Sequence, residues 1–156
     1  MSTGLVNYTS TVPVATSLAE CQARLAASGA DHIGVGYDDG LPVALTFRLV
    51  GPHGVRDFRI PVDVDAVQQL IGVQLEAGRI SAKSLARSVL LSREHAARVA
   101  WRIIKDWVAV QCALVEAALV ELDEAMLPHL EVDGGLTLAQ AYRAREATAL
   151  ELQGPS

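Results

Sequence analysis

Aromatic residues, cysteines and positive charges are all scarce in this sequence of 156 residues, of which only 4% are aromatic and two are cysteine. Two cysteines are too few for a disulfide-stabilised scaffold, and we expect Cys21 and Cys112 to be buried free thiols. The 13 Lys and Arg residues are outnumbered by 18 Asp and Glu, giving a formal net charge of -5. An acidic balance argues against a protein that works mainly by coating nucleic acid.

Recognisable catalytic motifs are also missing. The sequence contains no phosphate-binding loop, no glycine-rich dinucleotide motif after a strand, no HExxH metal motif and no GxSxG nucleophile motif. The histidines His32, His53, His95 and His129 lack metal-ligand spacing, so we expect each of them on the surface or in a turn. We therefore predict a binding protein rather than an enzyme, with no cofactor and no metal.

Long apolar runs are missing as well. The longest apolar stretch, residues 108–120, contains Gln111 and Glu116 and is shorter than the roughly 20 residues that a membrane span needs. The first eight residues lack the basic and apolar regions of a secretory signal. We therefore expect a cytoplasmic protein that does not enter a membrane.

Hydrophobic residues nevertheless make up 51% of the chain. A chain of this length buries roughly 70% of its extended surface and is expected to fold as one domain. Residues 8–14 favour an edge strand or an extended arm, because β-prone residues there end at Pro13. The capping-box pattern of Ser17 and Glu20 then predicts a helix over residues 18–28.

Alternating apolar and polar residues predict three strands in the first half. They cover residues 32–37, 43–50 and 55–60, with turns at 38–40 and 51–54. One face of each strand is more apolar, which is typical of an antiparallel sheet with one covered face.

A helix capped by Asp63 or Asp65 is expected to follow and to reach Glu76. Residues 79–91 are serine-rich and basic, so they are either a short helix or a mobile linker.

The second half is dominated by one long helical pattern. With Ser92 as its cap, this helix reaches about Leu122 without a Gly or Pro and spans roughly 42 Å. That length exceeds what a small sheet can cover, so we expect the excess to pack against another copy in a homo-oligomer. A capping box at Thr137 opens a final helix that runs to about Leu150.

These elements predict an α+β fold: a small antiparallel sheet of three to four strands, with helices on one face and a long C-terminal helix. Residues 1–78 form the half with the sheet, residues 79–91 a linker or short helix, and residues 92–156 the helical part. We expect the three parts to pack as one domain.

The long helix also carries the strongest candidate for a binding site. Arg98, Arg102, Lys105 and Glu116 fall nearly on one line along it, and Asp106 lies beside Arg102, four residues away. One interpretation is a solvated helix face stabilised by salt bridges. The other is the wall of a pocket in which arginines bind phosphate or carboxylate groups.

Both tryptophans flank this line. Trp101 and Trp107 lie about 120° apart on the helix and either anchor it to the core or stack on a ligand. Gln111 and Glu116 sit among apolar residues, where polar groups need partners if they are buried. They are therefore members of a polar network or ligand contacts.

The predicted sheet adds two further arginines. Arg48 and Arg59 each point away from the apolar row of their strand. If both strands present that face together, the arginines form a basic patch beside the helix that suits a nucleotide. The alternative is that they only keep an edge of the sheet soluble.

Several segments together resemble a group of short uncharacterised proteins of bacteriophages and prophages, over about residues 7–130. The most specific one is the Trp-Arg-x-x-Lys-Asp-Trp pattern of residues 101–107. The resemblance implies a phage origin and, with it, action in the host cytoplasm. The segments are Asn7-Tyr8-Thr9, Val12-Pro13-Val14, Phe58-Arg59-Ile60-Pro61 and residues 96–107, followed by Gln111, Leu114, Glu116 and Leu127-Pro128.

Three functions remain open at this point. The first is a non-enzymatic protein that binds a small anionic ligand, such as a nucleotide or a signalling nucleotide, and counteracts host defence. The second is a nucleic-acid-binding accessory protein of phage recombination or replication, which the negative net charge disfavours. The third is an inhibitor that binds a host protein.

Overall fold

The computed structural model describes residues 3–154 and confirms the predicted α+β fold. Its helices are α1 (Val14–Ala27), α2 (Val64–Glu76), α3 (Arg87–Leu90), α4 (Arg93–Glu116), α5 (Leu122–Ala125) and α6 (Leu138–Gln153). Its strands are β1 (Asp31–Asp38), β2 (Leu41–Gly51), β3 (Gly54–Pro61), β4 (Glu131–Val132) and β5 (Leu136–Thr137). Two short 3-10 turns cover Leu127–His129 and Asp133–Gly135.

The main sheet is antiparallel in the order β1-β2-β3, as the sequence predicts. The β1–β2 turn places Asp39 and Gly40 at φ values of 48° and 77°. Both values are positive, as a two-residue hairpin turn requires, and Gly40 adopts its value without steric cost. In the next hairpin Phe47 pairs with Phe58, and their rings stack with centroids 5.2 Å apart.

Because successive side chains of a strand point to opposite sides, the sheet has one apolar and one polar face. Leu45, Phe47, Phe58 and Ile60 are buried on the inner face. Arg48, Arg59 and their cross-strand partners occupy the outer face. The outer face tolerates little bulk on β1, because a Cβ at position 34 would lie 2.9 Å from the Thr46 hydroxyl.

Helix α4 lies at the centre of the structure and packs against α1 and α2. It begins as predicted, with the Ser92 hydroxyl accepting a hydrogen bond from the His95 amide at 3.1 Å. Trp101 is fully buried, and its indole N–H donates to the carbonyl of Pro42 in β2 at 2.8 Å. The apolar rows of α4 therefore belong to the core, where residues such as Val99 and Val108 are fully buried.

The start of α1 differs from the prediction. The helix begins at Val14, directly after Pro13, and the predicted cap Ser17 is fully buried inside it. Pro13 suits this position because its fixed φ and missing N–H cost nothing at a helix start. Of the two alternatives predicted for residues 8–14, the edge strand is wrong: residues 6–9 form a turn, residues 10–13 have no regular secondary structure, and the helix follows.

The end of α4 also differs from the prediction. Its last residue is Glu116 rather than Leu122, so the helix of 24 residues spans roughly 36 Å. Ala118 adopts a positive φ of 57°, which ends the helix without the help of glycine or proline. Residues 79–91, predicted as a short helix or a linker, contain one short helix, α3, which is a single turn and buries Leu90.

The C-terminal segment runs along the free edge of β3, where Leu130 forms a bridge with Phe58. The predicted capping box is present: the Thr137 hydroxyl accepts from the Gln140 amide, and the Gln140 side chain accepts from the Thr137 amide. Helix α6 follows and has no buried residue. Within residues 3–154, no helix is both long and apolar enough to cross a membrane.

We expect Trp101→Phe to lower the free energy of unfolding by about 3 kcal/mol, because it opens a cavity and leaves the partly buried Pro42 carbonyl without its donor. Urea unfolding measures this loss. Trp107→Phe is the matched control, since Trp107 is only partly buried, and it should cost clearly less. Equal losses in the two variants would contradict the anchoring role of Trp101.

Candidate functional site

The side chains predicted to bind a ligand, all of them among the described residues, lie at several separate places. Trp101 lies in the core between α4 and the sheet, with no exposed surface. It therefore cannot stack on a ligand without leaving its hydrogen bond to Pro42. Of the two roles predicted for Trp101, the structure supports the core anchor and contradicts the stacking surface.

Arg102 and Lys105 take part in a polar network between α4 and α1. The Glu20 carboxylate lies 3.2 Å from the Arg102 guanidinium and 3.6 Å from the Lys105 ammonium. Glu20 therefore serves as an ion-pair partner rather than as the predicted capping residue. Arg102 also lies 3.4 Å from the Ser17 hydroxyl.

Asp106 extends this network to the N-terminal segment. It accepts a hydrogen bond from the Asn7 amide at 2.9 Å and from Lys105 at 3.3 Å. These two donors, Asn7 first, hold the pKa of Asp106 below its usual range. Arg102 reaches Glu20 across the helix interface instead of pairing with Asp106, so the solvated, salt-bridged interpretation fits this part of α4.

Arg48 and Arg59 share the outer face of the sheet, as the strand alternation predicts. Arg48 makes two hydrogen bonds to Asp57, at 2.8 and 3.3 Å. Arg59 donates to the Gly135 carbonyl at 2.6 Å and lies 3.6 Å from Glu131. The predicted basic patch beside α4 does not form, because α4 packs on the inner face and both arginines are paired with carboxylates.

Trp107 contacts the C-terminal segment rather than a pocket. Its ring meets the ring of His129 edge to face, with centroids 5.3 Å apart. Burial lowers the pKa of His129, and a hydrogen bond with the Arg59 backbone opposes this shift in part. Trp107 thus joins α4 to the segment that covers the edge of β3.

Gln111 and Glu116 lie toward the C-terminal end of α4. Gln111 is only partly buried and Glu116 is exposed, so the burial that would require polar partners for them is not present. Glu116 lines a second cleft, also of about 390 Å³, with Arg24, Ser28 and Cys112. Both cysteines are free and buried as predicted, and burial raises the pKa of the Cys21 thiol to about 11.

Arg98 alone among the predicted basic residues faces a cleft without a carboxylate partner. Within residues 3–154, no carboxylate oxygen lies within 4.0 Å of its guanidinium, and its one polar contact is His95 Nδ1 at 3.5 Å. The cleft has a volume of about 390 Å³. Its lining residues are Thr11, Pro13, Val14, Leu41, Glu94 and Arg98.

His95 contacts Arg98 from the core side of α4. The prediction that it lies on the surface or in a turn is wrong. His95 is fully buried rather than exposed or in a turn. Its Nε2 contacts the carbonyl of Tyr8, and its Nδ1 faces the Arg98 guanidinium, which can only donate. The tautomer with the proton on Nε2 satisfies both contacts, so Nδ1 is an acceptor for Arg98 at the edge of the cleft.

The N-terminus of α1 contributes to the same cleft through Pro13 and Val14. This helix has neither a side-chain cap nor an acidic residue in its first turn. Its positive end is therefore not neutralised locally and adds to the charge of Arg98. These two positive groups favour an anionic group at the Arg98 side of the cleft, and Glu94 also lines the cleft.

Sequence reasoning identified Arg98 but not its surroundings. Thr11, Leu41 and Glu94 come from three different parts of the chain, and none of them belongs to a recognisable motif. Of the residues around Arg98, only His95 was recognisable from the sequence as a buried residue. It lies four residues before Val99, a member of the apolar row of α4, and therefore on the same face of the helix.

Comparison of the chain with protein-family models found no match, and neither did comparisons with curated proteins and with solved structures. Within the described residues, no group of three or more His, Cys, Asp or Glu side chains is placed to hold a metal ion. The inference about function therefore depends on the geometry of the cleft.

We expect the contact between Trp107 and His129 to make stability depend on pH. The pKa of His129 is lowered in the folded protein, so the unfolded chain binds a proton first as the pH falls through about 6.5. The free energy of unfolding should therefore decrease as the pH falls from 7 toward 5. Urea unfolding at each pH measures this decrease, and His129→Gln should make it smaller.

His53→Gln is the control for this measurement, because His53 is exposed in the β2–β3 turn. It should leave the pH dependence as in the unsubstituted protein. The assignment to His129 is wrong if His129→Gln leaves the pH dependence unchanged.

Proposed function

We propose that this protein is a non-enzymatic binding protein that takes a small anionic ligand in the cleft of Arg98. One observation carries the proposal: among the described residues Arg98 faces a cleft of about 390 Å³ and forms no ion pair within 4.0 Å, although Glu94 also lines the cleft, whereas Arg48, Arg59, Arg102 and Lys105 are all paired. A guanidinium in this setting suits a phosphate or a carboxylate, to which it can donate two parallel hydrogen bonds.

The other lining groups narrow the class of ligand. Glu94 offers a carboxylate that can accept from a hydroxyl or amino group, and Pro13, Val14 and Leu41 offer an apolar surface. A ligand with an anionic end, hydrogen-bond donors and a flat apolar part matches these groups. Nucleotides and signalling nucleotides have this composition, with the base resting on aliphatic side chains instead of a tryptophan.

Sequestration of such a ligand is compatible with the phage origin that the sequence resemblance implies. A phage protein that binds a signalling nucleotide of the host would counteract a defence response by lowering its free concentration. This biological role is part of the proposal and rests on the resemblance, while the binding itself rests on the cleft.

Nucleic-acid binding, the main alternative, has less support. A nucleic-acid surface needs several unpaired cations along one face. Arg48 and Arg59 on the outer face of the sheet lie against Asp57 and Glu131. Inhibition of a host protein, the third function, has no specific observation in its favour.

Arg98→Met tests the proposal, because it keeps the length of the side chain and removes its charge. The probes are inorganic phosphate, AMP, ATP and a cyclic dinucleotide, measured by isothermal titration calorimetry and by the shift of the thermal unfolding midpoint. We expect at least one nucleotide to bind and the variant to bind it roughly tenfold or more weakly, because a charge-assisted contact contributes about 1.5–3 kcal/mol.

Arg24→Met is the matched control. Arg24 lies on α1, whose first residue Val14 lines the cleft, but it is about 15 Å along the helix axis from Val14. This variant should bind the probe like the unsubstituted protein. Failure of every probe to bind the unsubstituted protein, or equal binding by Arg98→Met, would refute the proposal. A gel shift that strengthens steeply at low salt would favour the nucleic-acid alternative instead.

A further inference from the structure

We propose that helix α6 pairs in antiparallel orientation with α6 of a second copy of this chain. The observation behind this is that every residue from Tyr142 to Gln153 is exposed, and Leu152 has 83% of its surface accessible. Helix α6 contacts the rest of the chain chiefly through its first turn, next to the capping box at Thr137.

A helix in this position needs a partner for its stability. The exposed part of α6 spans about 18 Å, and isolated helices of this length are only marginally stable in water. Most helical stability in proteins comes from packing of one face rather than from intrinsic propensity. Since α6 packs against little of its own chain, a second molecule is the natural source of that packing.

One face of α6 is suited to close approach by another helix. It is formed by residues along a shallow groove of the helix. Most of their side chains are small, and one, that of Leu152, is large and apolar. Ala144 and Leu152 lie four residues on either side of Thr148, so an antiparallel pair centred on Thr148 places each Leu152 against the partner's small Ala144. The groove residues are Ala144, Arg145, Thr148, Ala149 and Leu152.

The charges on α6 favour the same arrangement. Arg145 and Glu151 lie three residues on either side of Thr148, so an antiparallel pair brings each arginine to the height of the opposite glutamate. A parallel pair would place like charges at the same height, which is destabilising. Glu146 already accepts a hydrogen bond from the Tyr142 hydroxyl at 2.7 Å, which leaves Glu151 as the carboxylate for Arg145.

A second copy is the occupant because this pattern is complementary to itself. When α6 is reversed about Thr148, Arg145 and Glu151 exchange heights, and so do Ala144 and Leu152. A two-fold symmetric interface requires this kind of self-complementarity. The sequence led us to expect self-association through the long helix α4. That helix packs against α1 and α2, whereas α6 has no buried residue, so we place the interface on α6.

Two short helices form an interface at the small end of the usual range, so we expect a dissociation constant on the order of micromolar. Analytical ultracentrifugation of the full chain over a concentration series measures it. The unsubstituted protein should change from monomer to dimer over this series. A monomer at every concentration, including several hundred micromolar (well above the expected constant), would overturn the proposal and point to another occupant of α6.

Charge reversal tests the orientation. Arg145→Glu and Glu151→Arg should each abolish the dimer, because each places like charges together at both ends of the pair. An equimolar mixture of the two variants should form a heterodimer, since every contact is then complementary again. Dimers of either variant alone, or no heterodimer on mixing, would overturn the antiparallel arrangement.

Cysteine cross-linking provides an independent test of the register. Thr148→Cys places a thiol on the two-fold axis, and mild oxidation should link two chains rapidly. Leu150→Cys is the matched control, because Leu150 is exposed but lies about 200° around the helix from Thr148. The native thiols of Cys21 and Cys112 are buried. Equal cross-linking of the two variants would contradict the register.

Discussion

The burial of Trp101 between α4 and β2 is the constraint on which the rest of the structure depends. Its indole is fully buried and donates to the carbonyl of Pro42, and so determines where the central helix lies on the sheet. With α4 in place, α1 and α2 pack on either side of it, and Arg98 comes to lie beside Leu41, the residue before Pro42. The candidate cleft is thus a consequence of how the helix is anchored.

The distribution of charge follows from this arrangement. Cations that face another element meet a carboxylate there: Arg102 meets Glu20 of α1, and Arg93 at the start of α4 contacts Asp38 and Asp65. These contacts use Glu20, Asp38 and Asp65, three of the 18 Asp and Glu residues of the chain. Arg98 differs because it contacts His95 and lies near the amide end of α1, and no carboxylate of the described residues pairs with it, although Glu94 lines the same cleft.

Features determined by neighbouring residues were predictable from the sequence, and features determined by distant contacts were not. The Asp39–Gly40 turn, the Ser92 cap and the Thr137 capping box depend on local hydrogen bonds and backbone conformation, and all three are present. The capping-box pattern at Ser17 is just as good locally, but Pro13 starts the helix earlier and Ser17 becomes buried. For the site, the sequence identified Arg98 and the two possible roles of Trp101. It could not show that the sheet separates Arg48 and Arg59 from α4.

The three-stranded sheet has a consequence for the order in which the chain folds. Each of its hairpins is closed by a connection of two residues, between Asp38 and Leu41 and between Gly51 and Gly54. The Trp101–Pro42 hydrogen bond instead joins residues separated by 59 positions. Loop-closure entropy makes that longer connection costlier by about 3 kcal/mol, at roughly 0.6 kcal/mol for each doubling of loop length. The sheet is therefore able to form from local contacts and to serve as the surface on which α4 later docks.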